Sequence, residues 1–286
     1  MARNLWVIGV SDRNIDTAAV EDFGSEWEKF DQSGVSEAEL RRQFDRYFAV
    51  FPWESLPPQA RGFDLGCGSG RWANFAAARI HELICIDPSE RALAVARRNL
   101  RERSNVAFHC ASVDAMPLGE ESMDFGYSLG VLHHVPDTAA GICSCVRLLK
   151  KGAPFLVYLY YRFDNRSRWF RLLWTVSDVA RRGISRLPGF AKRRVCDVIA
   201  MFVYWPLARF ARLLEKAGVN VSSVPLSQYR AMSFYTMRTD SLDRFGTRLE
   251  QRFTRAQIKQ MMTQAGLTDI QFSDDEPYWC AVGFKT

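Results

Sequence analysis

From residue 60 to residue 161, short apolar runs alternate with amphipathic stretches. Strand candidates at 63–65, 83–86, 106–108, 125–129 and 155–161 are separated by helical patterns that include 72–78, 89–101 and 139–149. Such alternation predicts a parallel sheet with crossover helices. Ahead of it, Leu40, Phe44, Tyr47, Phe48 and Phe51 fall at helical spacing behind Ser36, a residue type that caps helix starts. Pro52, Pro57 and Pro58 end that pattern. Beyond Tyr161 the alternation stops. Residues 162–253 carry long helical patterns rich in aromatics and arginine, interrupted at Pro188-Gly189 and Pro206. Alternation resumes with a helix at 255–265, ended by Gly266, and strands at 270–272 and 279–284. The expected organisation is a Rossmann-like α/β sheet (60–161 and 254–286) with an N-terminal helical cap (1–59) and a helical lid (162–253) inserted after the fifth strand.

Of the 286 residues, 48% are hydrophobic and 24% charged, which excludes wholesale disorder and coiled-coil rods. The apolar patch in the first ten residues is broken by Ser11-Asp12-Arg13-Asn14, well short of a signal sequence. The longest later apolar run, 198–208, has 11 residues and contains Pro206, whereas a membrane span needs about 20. A cytoplasmic protein is expected, one that at most lies on a membrane surface. Seven cysteines are scattered, and the lone C-x-C of Cys143 and Cys145 has no second Cys/His pair, so reduced thiols and no metal are expected. The net charge of +6 is unevenly placed. Residues 162–218 hold 13 Arg/Lys against 4 Asp/Glu, a local +9, which leaves −3 for the rest.

The candidate chemistry begins at Phe63-Asp64-Leu65-Gly66-Cys67-Gly68-Ser69-Gly70-Arg71, a strand running into a glycine-rich turn and a helix. Glycine there lets backbone approach a ligand, and the helix start offers unpaired N–H donors. The spacing fits neither the dinucleotide fingerprint, because Arg71 stands where the third Gly belongs, nor a P-loop, because no Gly-Lys-Ser/Thr follows. Asp87 ends the second strand, 21 residues beyond Gly66, where a carboxylate can accept both ribose hydroxyls. Val113-Asp114 follows the third strand. The fourth leads into Leu129-Gly130-Val131-Leu132-His133-His134-Val135.

In this order and spacing the motifs closely resemble the class I S-adenosylmethionine-dependent methyltransferases of small-molecule type. The resemblance covers residues 60–161 and 254–286, with weaker similarity at Phe23-Gly24-Ser25-Glu26-Trp27. It implies a seven-stranded sheet whose last strand is antiparallel, and S-adenosylmethionine as cofactor. It further implies Asp64, Gly66 and Gly68 at the methionine end, Asp87 with Pro88 at the ribose, Val113 and Asp114 at the adenine, and Leu129 and Gly130 at the methyl donor.

Methyl transfer requires that the acceptor atom be held close to an activated carbon with water excluded, and a general base helps if the acceptor is a hydroxyl. His133 and His134, past the fourth strand, are the base candidates, with pocket lining as their alternative role. Tyr160 and Tyr161 at the end of the fifth strand, and Tyr235, Asp243 and Arg244 before the resuming helix, are the candidate acceptor contacts. The basic, aromatic insertion suits a small apolar or phosphate-bearing acceptor, or a lipid-linked glycan intermediate. RNA methylation and cofactor sensing without turnover are the competing readings, and nucleic acid is the less expected partner because no separate RNA-binding module is present.

Overall fold

A computed structural model of the chain describes residues 14–221 and 224–286. The apolar N-terminal patch and the first part of the expected cap lie outside them. Seven strands form one sheet: β1 (Arg61–Leu65), β2 (Glu82–Asp87), β3 (Val106–Cys110), β4 (Phe125–Leu129), β5 (Pro154–Tyr158), β6 (Leu267–Phe272) and β7 (Cys280–Lys285). Their order is β3-β2-β1-β4-β5-β7-β6, all parallel except β7, which runs antiparallel to both β5 and β6. The expected Rossmann-like fold is therefore present.

The strands read as nearly unbroken apolar runs because both faces are covered. Their two-residue period divides the core. Phe63, Leu65, Ile84 and Ile86 face one layer, with Ile142 of α5 (Thr138–Leu148) and Ile258 and Met262 of α10 (Arg255–Gln264). Leu83, Cys85, Phe125 and Tyr127 face the other, with Phe44 of α2 (Glu37–Tyr47), Ala73 and Ala76 of α3 (Ala73–Ala77) and Leu93 and Ala96 of α4 (Glu90–Asn99). Helix starts are set by side-chain caps. Ser36, Ser89, Asp137 and Thr254 each accept a backbone N–H from the first turn.

Three expected boundaries differ by three residues or more, one being the strand expected at 270–272, which starts at Leu267. The helix expected to run to Phe51 ends at Tyr47, because Trp53 turns back to stack on Phe44 and Phe48 while Phe51 packs edge-on against Phe48. The fifth strand stops at Tyr158. Tyr160 and Tyr161 lie past it, where Tyr161 bridges to Phe253 as the chain returns from the insertion.

Between β5 and α10 stand α6 (Arg168–Ile184), α7 (Gly189–Ile199), α8 (Trp205–Lys216) and α9 (Phe234–Gly246). One turn of π-helix at Ala200–Tyr204 joins α7 to α8. Pro206 follows directly, and a proline cannot keep the regular bond to the residue four back. These helices share a small core of Cys196, Tyr204, Ala208, Met237 and Phe245, completed by Phe30 from the end of α1 (Thr17–Lys29). No helix of the described residues is long and apolar enough to cross a membrane.

Candidate active site

The sheet order reverses between β1 and β4, and in open α/β sheets ligands bind at the strand ends beside such a switch point. A cavity of about 470 Å³ lies there. Its floor is the ends of β1, β2 and β4, including Gly66, Asp87 and Gly130. Its cover comes from α1, α6, α8 and α9.

The floor is built by the glycine turn. Gly66 and Gly68 adopt φ of +75° and +54°, left-handed values that disfavour other residues. A Cβ on Gly66 would lie 2.3 Å from Val131, and one on Gly68 would lie 2.8 Å from the indole of Trp27. The turn also delivers the Gly68 N–H to Asp87 Oδ2 at 3.0 Å, while the Ser89 N–H reaches Oδ1 at 2.9 Å. A carboxylate has about four acceptor positions, so two remain for a ligand. Burial pushes the Asp87 carboxyl up to about 6, against those two N–H groups. At Gly130, φ +79°, a Cβ would meet only the Tyr158 ring, at 4.0 Å. Buried paired acceptors at one strand end, bare glycine backbone at two others and a continuous cavity between them fit an adenosyl cofactor.

The structure brings most of the expected residues together. Gly66, Asp87, Pro88, Val113, Leu129, Gly130, His134, Tyr160, Tyr161, Asp243 and Arg244 all border the cavity. Four polar candidates are placed differently. Asp64 points into the helical layer beneath the turn and accepts from Tyr127 Oη at 3.0 Å, its carboxyl pushed up to about 8 by burial. Asp114 is exposed just past β3, away from the cavity that its neighbour Val113 borders. His133 is fully buried, with its ring stacked on Tyr160 at 3.9 Å. Tyr235 lies outside the cavity, where it packs edge-on against Phe30 and its hydroxyl accepts the Gln32 N–H at 3.1 Å.

His134 sits at the junction of sheet and insertion. Its Nδ1 is 2.7 Å from the Leu249 carbonyl, an acceptor only, so Nδ1 carries the proton and donates it. Nε2 is therefore the basic nitrogen. It is buried without a hydrogen-bond partner among the described residues and lies 3.8 Å from Asp243 Oδ1, itself buried and unpaired. Tyr160 Oη donates to the other oxygen of Asp243. Burial lowers the imidazole to about 4, so it is neutral at ordinary pH. The same burial raises Asp243 to about 6.

Glu26, Asp240 and Arg71 also border the cavity and were not singled out from sequence. Glu26 is held well above the usual carboxylate range by burial and by Asp243 and Asp240. Arg71, over the rings of Trp72 and Trp27, opposes that shift. Glu26 lies inside the Phe23–Trp27 segment and Arg71 ends the glycine-rich motif, whereas Asp240 carried no sequence signal of its own.

Residues 63–157 match the family model described as a methyltransferase domain. The ubiquinone biosynthesis O-methyltransferase of Nitrosomonas europaea is 38% identical over 171 residues, which span 59% of this chain and 70% of that protein. The protein of the same name from Hahella chejuensis is 35% identical over 112 residues, 38% of this chain and 45% of its own length. A solved S-adenosylmethionine-dependent methyltransferase from Thermotoga maritima superposes with a TM-score of 0.51 at 16% identity, covering 94% of this chain and all of that one. At that identity the likeness is one of fold. The chain belongs to the class I S-adenosylmethionine-dependent methyltransferases. It is an enzyme whose cofactor is S-adenosylmethionine.

Proposed function

We propose that this methyltransferase acts on a hydroxyl of a small, largely apolar acceptor, with His134 as the general base. The observation that carries the reading is the His134 tautomer. The Leu249 carbonyl fixes the proton on Nδ1, and Nε2 is left as an unpaired base facing Asp243. A hydroxyl at Nε2 would donate its single proton there, and the Asp243 carboxylate 3.8 Å away would stabilise the imidazolium that forms; such base assistance contributes roughly 10²–10⁴ in rate. The relatives' description as O-methyltransferases agrees with an oxygen acceptor.

The bound cofactor supplies a methyl group already activated on a sulfonium. The chain's own residues then do three things. Asp87, with Pro88 beside it, holds the ribose, Val113 lines the adenine end, and Gly66 and Gly130 present bare backbone to the methionine end. Asp64 and Gly68 act beneath the turn, Gly68 by fixing Asp87. Tyr160, Tyr161 and Arg244 wall the acceptor side, and Phe170 and Trp174 of α6 exclude water from it. The aromatic lining suits a flat phenolic ring with an apolar tail. In this reading the sheet (60–161 and 254–286) binds the cofactor and residues 162–253 choose the acceptor.

The test is transfer of tritiated methyl from S-adenosylmethionine to an alkyl-tailed catechol, with the labelled atom identified by mass spectrometry. Label on oxygen, lost in His134→Gln while S-adenosylhomocysteine still binds, is the expected result. Label on an amine acceptor instead, or full turnover by the variant, would reject the base assignment.

A further inference from the structure

All the large apolar side chains left exposed among the described residues lie between Trp169 and Val219. On α6, Trp169, Leu172, Leu173, Val176 and Val179 recur at steps of three and four, which places them on one stripe of the helix. On the rod formed by α7, the π turn and α8, the inward side is Ala200, Tyr204, Ala208 and Ala211, all buried. The outward side presents Met201, Phe202, Trp205 and Phe210, each more than 40% exposed. Soluble surfaces rarely leave apolar stripes of this extent without a binding role.

Charge identifies the occupant. Arg168, Arg171, Arg194 and Arg212 are exposed on the same helices, and none makes an ion pair among the described residues. They belong to the segment with the local +9. A second copy would bring like charge against like, whereas an anionic bilayer satisfies both the arginines and the apolar stripes. Leu173 and Val203 are exposed and also border the cavity, one from each helix. The cavity thus reaches the surface on this face.

We infer that α6 and the α7–α8 rod form a docking face for an anionic lipid bilayer, and that an apolar acceptor passes from the bilayer to the cavity between Leu173 and Val203. The entry route rests on the apolar-acceptor reading above, but the docking does not, so it is measured without turnover. The experiment is flotation of the full chain with phosphatidylcholine vesicles, with and without phosphatidylglycerol. Leu172→Glu/Phe202→Glu, neither of which borders the cavity, is compared with the parent, and S-adenosylhomocysteine binding serves as the folding check. Flotation should require phosphatidylglycerol, weaken at high salt, and fall at least tenfold in the double variant while S-adenosylhomocysteine affinity stays unchanged. Absence of flotation at low salt would overturn the inference. So would a dimer in sedimentation velocity that the double variant splits, without vesicle binding. Binding to an RNA oligonucleotide that survives the double variant, again without vesicle binding, would assign the face to nucleic acid instead.

Discussion

The large apolar side chains of β1, β2 and β4 are buried between two helical layers, whereas α6, the π turn and α8 leave Leu172, Val176, Phe202 and Leu213 in solvent. The sheet half is held by a continuous core, and the insertion by its small core around Phe30 together with charged ties. Glu39 of α2 accepts from Ser233 at the start of α9, Lys192 of α7 reaches Asp22 of α1, and Arg181 joins Asp178 to the Thr247 carbonyl. A segment fixed by a small core and polar ties at its inner side can keep an apolar outer side for something other than folding. The two halves meet where His134, from the sheet, takes its tautomer from Leu249, in the insertion.

That junction gives the largest expected effect. His134→Gln should lower kcat by roughly 10²–10⁴ with cofactor affinity nearly unchanged, because the proposed base is lost and the floor residues are not touched. Steady-state kinetics with calorimetry of S-adenosylhomocysteine reads both. An equal fall in cofactor affinity would mean that the ring supports the floor and erase the distinction drawn between the halves. Asp87→Ala should act the opposite way. Loss of charge-assisted hydrogen bonds should cost about 1.5–3 kcal/mol of cofactor binding. Unchanged affinity in a folded variant would remove Asp87 from the site.

A smaller effect follows from pH. Burial raises Asp87 from 3.8 to about 6, and a ligand hydroxyl favours the ionised form. Binding therefore releases a proton, and affinity falls as pH drops through about 6. Calorimetry at pH 5 should show about tenfold weaker cofactor binding than at pH 7.5, by linkage. The same comparison in Asp87→Asn should be flat across this range. A slope that persists in that variant would place the titrating group elsewhere, with Asp240 and Asp243, both raised to about 6, as the next carboxyls to test.

The sheet was legible in the sequence because its motifs are local. Asp87 and the turn at Gly66 are set by a strand end and the loop that follows it, and period-two alternation locates strand ends. The residues that were missed or misplaced depend on long-range packing. Tyr235 belongs to a cluster with aromatic character and helical spacing, yet its partner is the Gln32 backbone, 203 residues away in sequence. Asp240, on the same helix but not among the candidates, borders the cavity where Tyr235 does not. Asp64 looks like a ligand in a one-dimensional motif, but strand alternation sends it to the face opposite Phe63 and Leu65, where Tyr127 meets it. The aromatic runs of the insertion were visible as composition. Which of their residues stay exposed depends on which helix side packs against α1 and α9.

The smallest expected effect addresses how the insertion is attached. Glu39 is 6% exposed and accepts from the Ser233 N–H, the Ser233 hydroxyl and the Thr236 hydroxyl, the last at 2.7 Å. It thereby caps α9 from another helix. Glu39→Gln preserves shape and one acceptor oxygen, so it removes charge assistance without opening a cavity. The expected loss is about 1 kcal/mol, the difference between a charged and a neutral hydrogen bond. For a chain of this size that corresponds to a fall in Tm of about 2–4 °C. Hydrogen exchange locates the loss. Amides of α9 should exchange faster, whereas those of β1 and β4, held by the apolar core, should not change. If the strands lose protection in step with α9, the insertion and the sheet unfold as one cooperative unit. The polar anchors would then contribute to the whole fold and not to the seating of the insertion alone.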